Sequence, residues 1–259
     1  MQSPVVSIIT ITFNNLSGLK KTLQSVSKMS FEDFEHIIID GRSSDGTTDY
    51  LKTYDAHQIH WQSEKDQGIY DAMNKGIQKA NGLWCIFMNA GDCFQDQFDL
   101  SFLKDLSADV VYGNSEIIYA DGFKRIMKAG PLEQLWQGMS FTHQAVFVKT
   151  ELLKDNPFEL SYKYCADFDQ LFKLYLTKKN FQVMDQVVCS IEAGGISDSE
   201  RHLATKEVWE INKKLNPDFA EDQFFKSKIR KGKYTLFVKS ILPAKTRSWI
   251  LKKKYQADQ

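Results

Sequence analysis

Acidic residues in this sequence stand where apolar runs break. Residues 83–88, LWCIFM, are a short apolar run that reads as a buried strand, and it stops in Asn89-Ala90-Gly91-Asp92. A carboxylate just past the carboxyl end of a buried strand occupies the place where open α/β sheets bind ligands. Two more carboxylates stand in the same way. The run HIIID ends in Asp40 and the loop GRSSDGT, and Asp66 lies in the polar loop after a short strand at 59–61. Carboxylate oxygens accept hydrogen bonds and ligate hard divalent cations, so three of them at neighbouring strand ends suit a polar ligand. Between the last two lies a helical pattern, with Ile69, Ala72, Met73, Gly76, Ile77 and Ala80 on one face. Its polar residues Asp71, Asn74 and Lys75 cannot all share that buried face and are expected to line the same crevice.

The elements that must hold these groups follow from periodicity. Residues 5–13 are nearly continuous Val and Ile, as in a strand buried on both faces of a parallel sheet. Asn14 or Asn15 caps a helix with Leu16, Leu19, Leu23 and Val26 on its inner stripe. Strands at 36–40, 59–61 and 83–88 alternate with helices, which predicts an α/β fold with a mainly parallel central sheet flanked by helices. Further strands are expected at 109–113, 115–119, 145–149 and 181–191, and helices at 167–178 and 205–215.

The chain has 259 residues, no net charge and an ordinary 42% hydrophobic content. The neutrality hides an asymmetry. Eleven of the 33 Lys and Arg fall in residues 226–254, which hold no Asp or Glu, so with Asp258 the tail carries +10 and residues 1–225 carry −10. Such a tail implies a partner, either an anionic surface or the acidic body itself. No apolar run reaches the roughly 18 residues that span a bilayer. The opening MQSPVV lacks the basic start of a secretory signal, and Cys85, Cys93, Cys165 and Cys189 show no paired spacing. A reduced, cytoplasmic protein is expected, with the tail peripheral to the inner face of the membrane.

Four segments in order, SIITITFNN, IIIDGRSSDGTTDYL, DQGIYDAMNKGIQKANG and FMNAGD, resemble the inverting family 2 glycosyltransferases of the GT-A fold. The flavour is that of bacterial capsule, colanic acid and O-antigen biosynthesis. The resemblance spans roughly residues 5–200. It implies a catalytic domain at 1–200, with 201–259 a mostly helical, basic, membrane-proximal segment.

The resemblance also implies roles. Asp92 takes the metal position of a DxD-like motif, holding Mn²⁺ or Mg²⁺ on the diphosphate of the donor; Asn89 and Gly91 stand where many relatives have Asp. Thr12, Asn14, Asp40 and Asp66 correspond to the nucleoside pocket. Lys75 approaches the diphosphate or Asp71, and His143 a position near acceptor or diphosphate. Asp167, in the run CADFD, takes the place of the general base; the usual preceding Glu is Ala166. The donor is then a nucleotide sugar, UDP-linked, and the acceptor a saccharide or polyprenyl-linked saccharide. A loop at 194–197 covers the site, with Arg201 and His202 beyond it.

Other classes fit less well. A nucleotidyltransferase would carry a Gly-rich, Arg-containing loop after the first strand, where this chain has TFNNLSGLKK. A glycoside hydrolase needs two carboxylates flanking the bond and no nucleotide pocket. No nucleic-acid motif appears. A weakly active or inactive nucleotide-sugar-binding scaffold of the same fold stays open, because Asn89, Gly91 and Ala166 replace acids.

Overall fold

Strand β1 (Val6–Thr12) is buried at every residue. It takes β2 (Phe34–Asp40) on one side and β4 (Trp84–Phe87) on the other, both parallel, and β3 (Ile59–Ser63) extends the sheet beyond β2. These apolar, β-branched runs are what two covered faces demand. Helices α1 (Leu16–Ser27), α2 (Thr47–Thr53) and α3 (Ile69–Lys79) make the crossovers. The chain is a computed structural model in which residues 3–54, 58–96, 98–195, 200–242, 246 and 253 are described.

Beyond β4 the sheet is no longer purely parallel. Its order is β3-β2-β1-β4-β8-β6-β9-β5. Strand β8 (Val146–Lys149) runs antiparallel to β4, β6 (Val110–Ile118) antiparallel to β8, and β9 (Phe181–Glu192) parallel to β6. The two-residue β5 (Cys93–Phe94) and β7 (Lys124–Met127) complete it on β9 and β6. The mainly parallel expectation therefore describes the first four strands, and a mixed sheet follows. The two strands expected at 109–113 and 115–119 are the single strand β6, whose register against β9 shifts around Asn114. At Gly113 an added Cβ would lie 2.8 Å from Met184 Cγ and 2.9 Å from Val188 Cγ2. The glycine that looked like a strand end is thus a point of close approach inside one strand.

The second half adds α4 (Thr150–Asp155), α5 (Ala166–Leu176), α6 (Arg201–Leu215) and α7 (Asp222–Ile241). The last two are not detached from the core. Val208, Ile211 and Phe225 belong to the same buried cluster as Phe168 and Phe172 of α5. Trp136 packs on Phe219, Phe224 and Phe225, and Trp209 stacks on Phe225 at 6.2 Å. Trp84 is fully buried and donates to the Leu103 carbonyl. These three tryptophans are packing residues. Residues 196–197 of the loop expected over the site, and most of the basic tail beyond residue 242, lie outside the described residues.

Candidate functional site

Register builds the site. Thr12, Asp40 and Ser63 sit side by side at the carboxyl ends of β1, β2 and β3. The ladder between β1 and β4 continues past the strand through Met88 N to Ile9 O and Ala90 N to Ile11 O, which sets the 89–92 turn against the end of β1. The position of β4 is fixed at its other end. The buried Glu35 carboxylate accepts from Ser7 Oγ at 2.6 Å, Asn81 N at 2.6 Å and Gly82 N at 3.1 Å. A Cβ at Gly82 would come within 2.5 Å of Ser7 N, so only glycine lets β4 start there.

The β2 end is organised from within. Asp40 is fully buried, and its oxygens accept from Ser43 Oγ, Ser43 N and Ser63 Oγ. It shapes the 41–46 loop. Asn14 helps, taking a left-handed backbone with φ 48°, donating from N to Ser43 Oγ and accepting from Ser44 N. Asp45 ties together the starts of α1 and α2, accepting from Leu16 N and Thr47 N. Asp66 reaches over this loop: its Oδ1 accepts from Gly68 N, and its Oδ2 lies 2.6 Å from where a Cβ of Gly41 would be. The Phe13 ring borders the same Gly41 and is 64% exposed. An exposed phenyl beside a carboxylate suits a nucleobase, which offers one flat face and hydrogen-bonding edges. Thr12 Oγ1 is buried there with no hydrogen-bond partner. Lys75 bridges Glu64 at 2.9 Å and Asp71 at 3.1 Å, and donates to the Lys65 carbonyl, so it braces the loop carrying Asp66.

The 89–92 turn is held from below by α1. Thr22 Oγ1 donates to the carbonyls of Asn89 and Asp92 and accepts from Gly91 N. Asn15 donates to the Ala90 carbonyl while capping α1 through Gly18 N. Gly91, with φ 111°, supplies the conformation this turn requires. A cavity of about 140 Å³ opens here, among Asn15, Ser17, Lys21, Asp92 and Glu192.

The antiparallel β8 brings the other half of the site. Because it runs against β4, the residues entering it, His143 and Gln144, arrive beside the end of β4. Gln144 Nε2 donates to Asp92 Oδ2 at 3.0 Å. His143 Nε2 is 3.2 Å from Asn89 Nδ2, and its Nδ1 is 3.4 Å from Asp167 Oδ2. With the Asn89 amide nitrogen donating to Nε2, the ring proton is on Nδ1, facing the carboxylate. Tyr70 of α3 donates to Asp167 Oδ1 at 3.2 Å. Burial drives the Tyr70 phenol far above its ordinary pKa, so it stays a donor. Asp167 is therefore clamped between a phenol and an imidazole, in the first turn of α5, which Cys165 and not Asp167 caps. Asp169 points away: it is fully buried and paired with Lys173 at 2.6 Å.

Desolvation pushes the Asp92 carboxyl up to about 6, against the opposing hydrogen bond from Gln144 and the field of His143. That is about 3 kcal/mol held against the ionised form, which a divalent cation would relieve. Asn89 Oδ1 on the same turn is buried without a partner. No three His, Cys, Asp or Glu side chains converge among the described residues. One carboxylate and one amide oxygen suit Mg²⁺ or Mn²⁺ that takes its remaining ligands from water and substrate phosphates.

The structure thus gathers Asn89, Asp92, His143 and Asp167 in one region, with Thr12, Asn14, Asp40 and Asp66 at the adjoining strand ends. Phe13, Tyr70 and Thr22 were given no role from the sequence. Phe13 reads there as one more apolar residue of a buried strand, and only its exposure distinguishes it. Tyr70 lies inside the segment DQGIYDAMNKGIQKANG, but nothing in that pattern marks its hydroxyl as a partner of Asp167.

Residues 7–162 match the family described as Glycosyl transferase family 2. A PGL/p-HBAD biosynthesis glycosyltransferase of Mycobacterium bovis is 29% identical over 210 residues, covering 77% of this chain and 81% of the relative. The glycosyltransferase AglE of Haloferax volcanii is 31% identical over 129 residues, covering 46% of this chain and 42% of its own. Among solved structures, TarS 1–349 of S. aureus with UDP-GlcNAc has a TM-score of 0.61 at 19% identity, over 84% of this chain and 68% of that one. The mannosyltransferase PcManGT of Pyrobaculum calidifontis, with GDP-Man and Mn²⁺, has a TM-score of 0.64 at 14% identity, over 100% of this chain and 82% of that one. At these identities the structural likeness speaks for the fold, which is GT-A.

Proposed function

The chain belongs to glycosyltransferase family 2, and from that premise we propose that it moves a sugar, with inversion, from a UDP-sugar to a saccharide or polyprenyl-linked saccharide in surface polysaccharide biosynthesis at the cytoplasmic side of the membrane. The observation that carries the reading is the chain of contacts from Tyr70 through Asp167 and His143 to Asn89, on the turn that bears Asp92. In a single displacement the acceptor oxygen bonds to the anomeric carbon as the bond to the diphosphate oxygen breaks, and the hydroxyl proton goes to a base. Asp167 is that base. The clamp from Tyr70 and His143 holds its carboxylate in one orientation, which counts because misplacement of a reacting group by an ångström costs orders of magnitude.

On the donor side, Phe13 and Asp66 receive the nucleobase, Asp40 and Asn14 hold the loop that frames it, and Thr12 closes its floor. Asp92 and the Asn89 amide oxygen would hold a divalent cation, which would supply charge neutralisation for a departing nucleoside diphosphate. Lys75 steadies the Asp66 loop through Asp71 and Glu64. The relatives with UDP-GlcNAc and GDP-Man support a nucleotide-sugar donor.

The test separates two carboxylates two residues apart. Asp167→Asn preserves size and hydrogen-bond acceptance but not basicity. It should fold, bind UDP, and lose about 10²–10⁴-fold in kcat. Asp169→Asn should keep its turnover and lose thermal stability, since it leaves Lys173 half-buried without its partner. The reverse pattern would overturn the assignment. If wild type hydrolyses or transfers no sugar from a panel of nucleotide sugars that nevertheless raise its melting temperature, the scaffold reading replaces this one.

A further inference from the structure

One side chain of the site faces both of its halves. The backbone of Asn89 is fixed: Met88 N donates to the Ile9 carbonyl, Ala90 N to the Ile11 carbonyl, and the Asn89 carbonyl accepts from Thr22 Oγ1 at 3.1 Å. What remains free to turn is the amide. Its nitrogen donates to His143 Nε2 at 3.2 Å, and its oxygen is buried with no hydrogen-bond partner among the described residues. Across the ring, His143 Nδ1 lies 3.4 Å from Asp167 Oδ2. The other carboxylate oxygen, Oδ1, already accepts from the Tyr70 hydroxyl at 3.2 Å and from Phe168 N at 2.9 Å. Oδ2 is therefore the oxygen left for an incoming proton, and His143 is the group that aims it. The turn at 143–145 is pinned to the 89–92 turn a second time, because Gln144 is buried and donates to Asp92 Oδ2 at 3.0 Å.

We propose that Asn89 and His143 are positioning residues that couple the cation of the donor half to the base of the acceptor half, one orientation of the Asn89 amide serving both. With Oδ1 turned to the cation, Nδ2 faces His143. Nε2 then accepts, and the ring proton sits on Nδ1, towards Asp167. Turned over, the amide would aim its N–H groups at the cation and its oxygen at Nε2. The ring proton would move to Nε2 without any change of charge, and a lone pair on Nδ1 would face the carboxylate. Each half therefore selects the orientation that the other needs. This gives the amide at 89, where many relatives have Asp, a physical reason. A carboxylate there would add charge for the cation, but it has no donor and cannot keep Nε2 an acceptor. Coupling of this kind is reciprocal, so His143, which is no ligand, bears on cation affinity as well. The inference deepens the proposed function and rests on its cation and its base.

Three measurements on the full chain test it, and the first two involve no sugar transfer. Long-range proton–nitrogen correlation spectra, with the ring assigned by its loss in His143→Gln, should show the His143 proton on Nδ1 and a bare Nε2. In Asn89→Asp, Nε2 should carry a proton. Mn²⁺ affinity with UDP present, read by electron paramagnetic resonance, should fall at least about fivefold in His143→Ala. His143→Gln, whose amide oxygen replaces Nε2 as acceptor, should restore most of it. Asn89→Asp should bind Mn²⁺ at least as tightly as wild type, yet lose about tenfold or more in kcat at an unchanged donor KM, since a base displaced by a fraction of an ångström is enough. A wild-type ring protonated on Nε2, alone or together with Nδ1, overturns the proposal. So does wild-type Mn²⁺ affinity in His143→Ala, or an Asn89→Asp enzyme as fast as wild type. Should His143→Ala fail to fold, the spectra of wild type and Asn89→Asp decide. Tight Mn²⁺ binding that ignores His143 removes the coupling and leaves the proposed function standing. Mn²⁺ that does not bind wild type removes both the coupling and the cation. A wild type that transfers no sugar removes the proposed activity, while the spectra and the Mn²⁺ titration still read the coupling.

Discussion

Asp92 is the residue at which function and stability pull apart. Its folded pKa, about 6, lies above the ordinary 3.8, because burial disfavours the charged form. A raised carboxyl pKa means that folding favours the proton. The cost of ionisation is absent below pH 3.8, grows through the interval to 6, and is fully present above it. In chelator at pH 7.5, Asp92→Asn should therefore melt higher than wild type, by on the order of 1–3 kcal/mol of stability. The gap should close as the pH falls towards 4. Adding Mn²⁺ should stabilise wild type and not the variant. The same substitution should lower kcat by at least about tenfold, a barrier change of roughly 1.4 kcal/mol. Urea melts at two pH values and steady-state kinetics check both halves. An Asn variant of unchanged stability and full activity would make Asp92 an ordinary turn residue.

The proposed base lies on α5, and the position of that helix depends on another far along the chain. Cys165 opens α5 without a side-chain cap. The approach to it is instead held by Glu207 of α6, whose carboxylate accepts from Lys163 N at 2.9 Å, Tyr164 N at 2.8 Å and Cys165 N at 3.0 Å. A hydrogen bond to a charged group contributes about 1.5–3 kcal/mol, and a buried amide left without one costs about as much. Glu207→Ala should lower stability by at least about 2 kcal/mol. It should lower kcat more than it raises KM for the donor, because the proposed nucleoside pocket lies on β1, β2 and β3 while the proposed base, Asp167, lies on α5. Calorimetry and donor titrations measure the two effects. A KM-only change would show that α6 supports the donor side instead.

Across the fold, the buried imidazole of His36 sets the response to acid. It sits between β1 and β2, paired with Thr10 Oγ1 at 2.8 Å, and burial lowers its pKa from 6.5 to about 3. Below pH 6.5 the unfolded chain takes a proton on this ring and the folded chain does not. Stability should fall by about 1.4 kcal/mol for each pH unit below 6.5 until the folded pKa is reached. His36→Gln should flatten that dependence between pH 6.5 and 5, as read from denaturant melts. The opposing trend at Asp92 acts over the same interval with the other sign, so the comparison is cleanest in the Asp92→Asn background. The charge asymmetry acts at this level too. A body carrying −10 and a tail carrying +10 attract within the monomer, yet the described cations of α7 remain exposed.

Local pattern was enough for the first four strands, their crossover helices and the strand-end acids. Unbroken Val and Ile runs and three-four apolar spacing have few alternative solutions, and a strand's polar end marks the ligand side of a parallel sheet. A two-residue step on a helix turns a side chain away, which is why Asp167, the proposed base, and Asp169 differ in surroundings, Asp169 being buried against Lys173. Pairing in the second half was not legible. Strands β6, β8 and β9 join across long separations, Gly113 lies inside a strand it looked set to end, and β5 has only two residues. Nor could any spacing show that His143 touches both Asn89 and Asp167, that Phe13 is exposed at the end of a buried strand, or that Glu207 holds the approach to α5. Those contacts depend on strand direction and on helix packing between residues 24 to 54 positions apart in the chain, and such relations are settled only when the sheet and its helices close on one core.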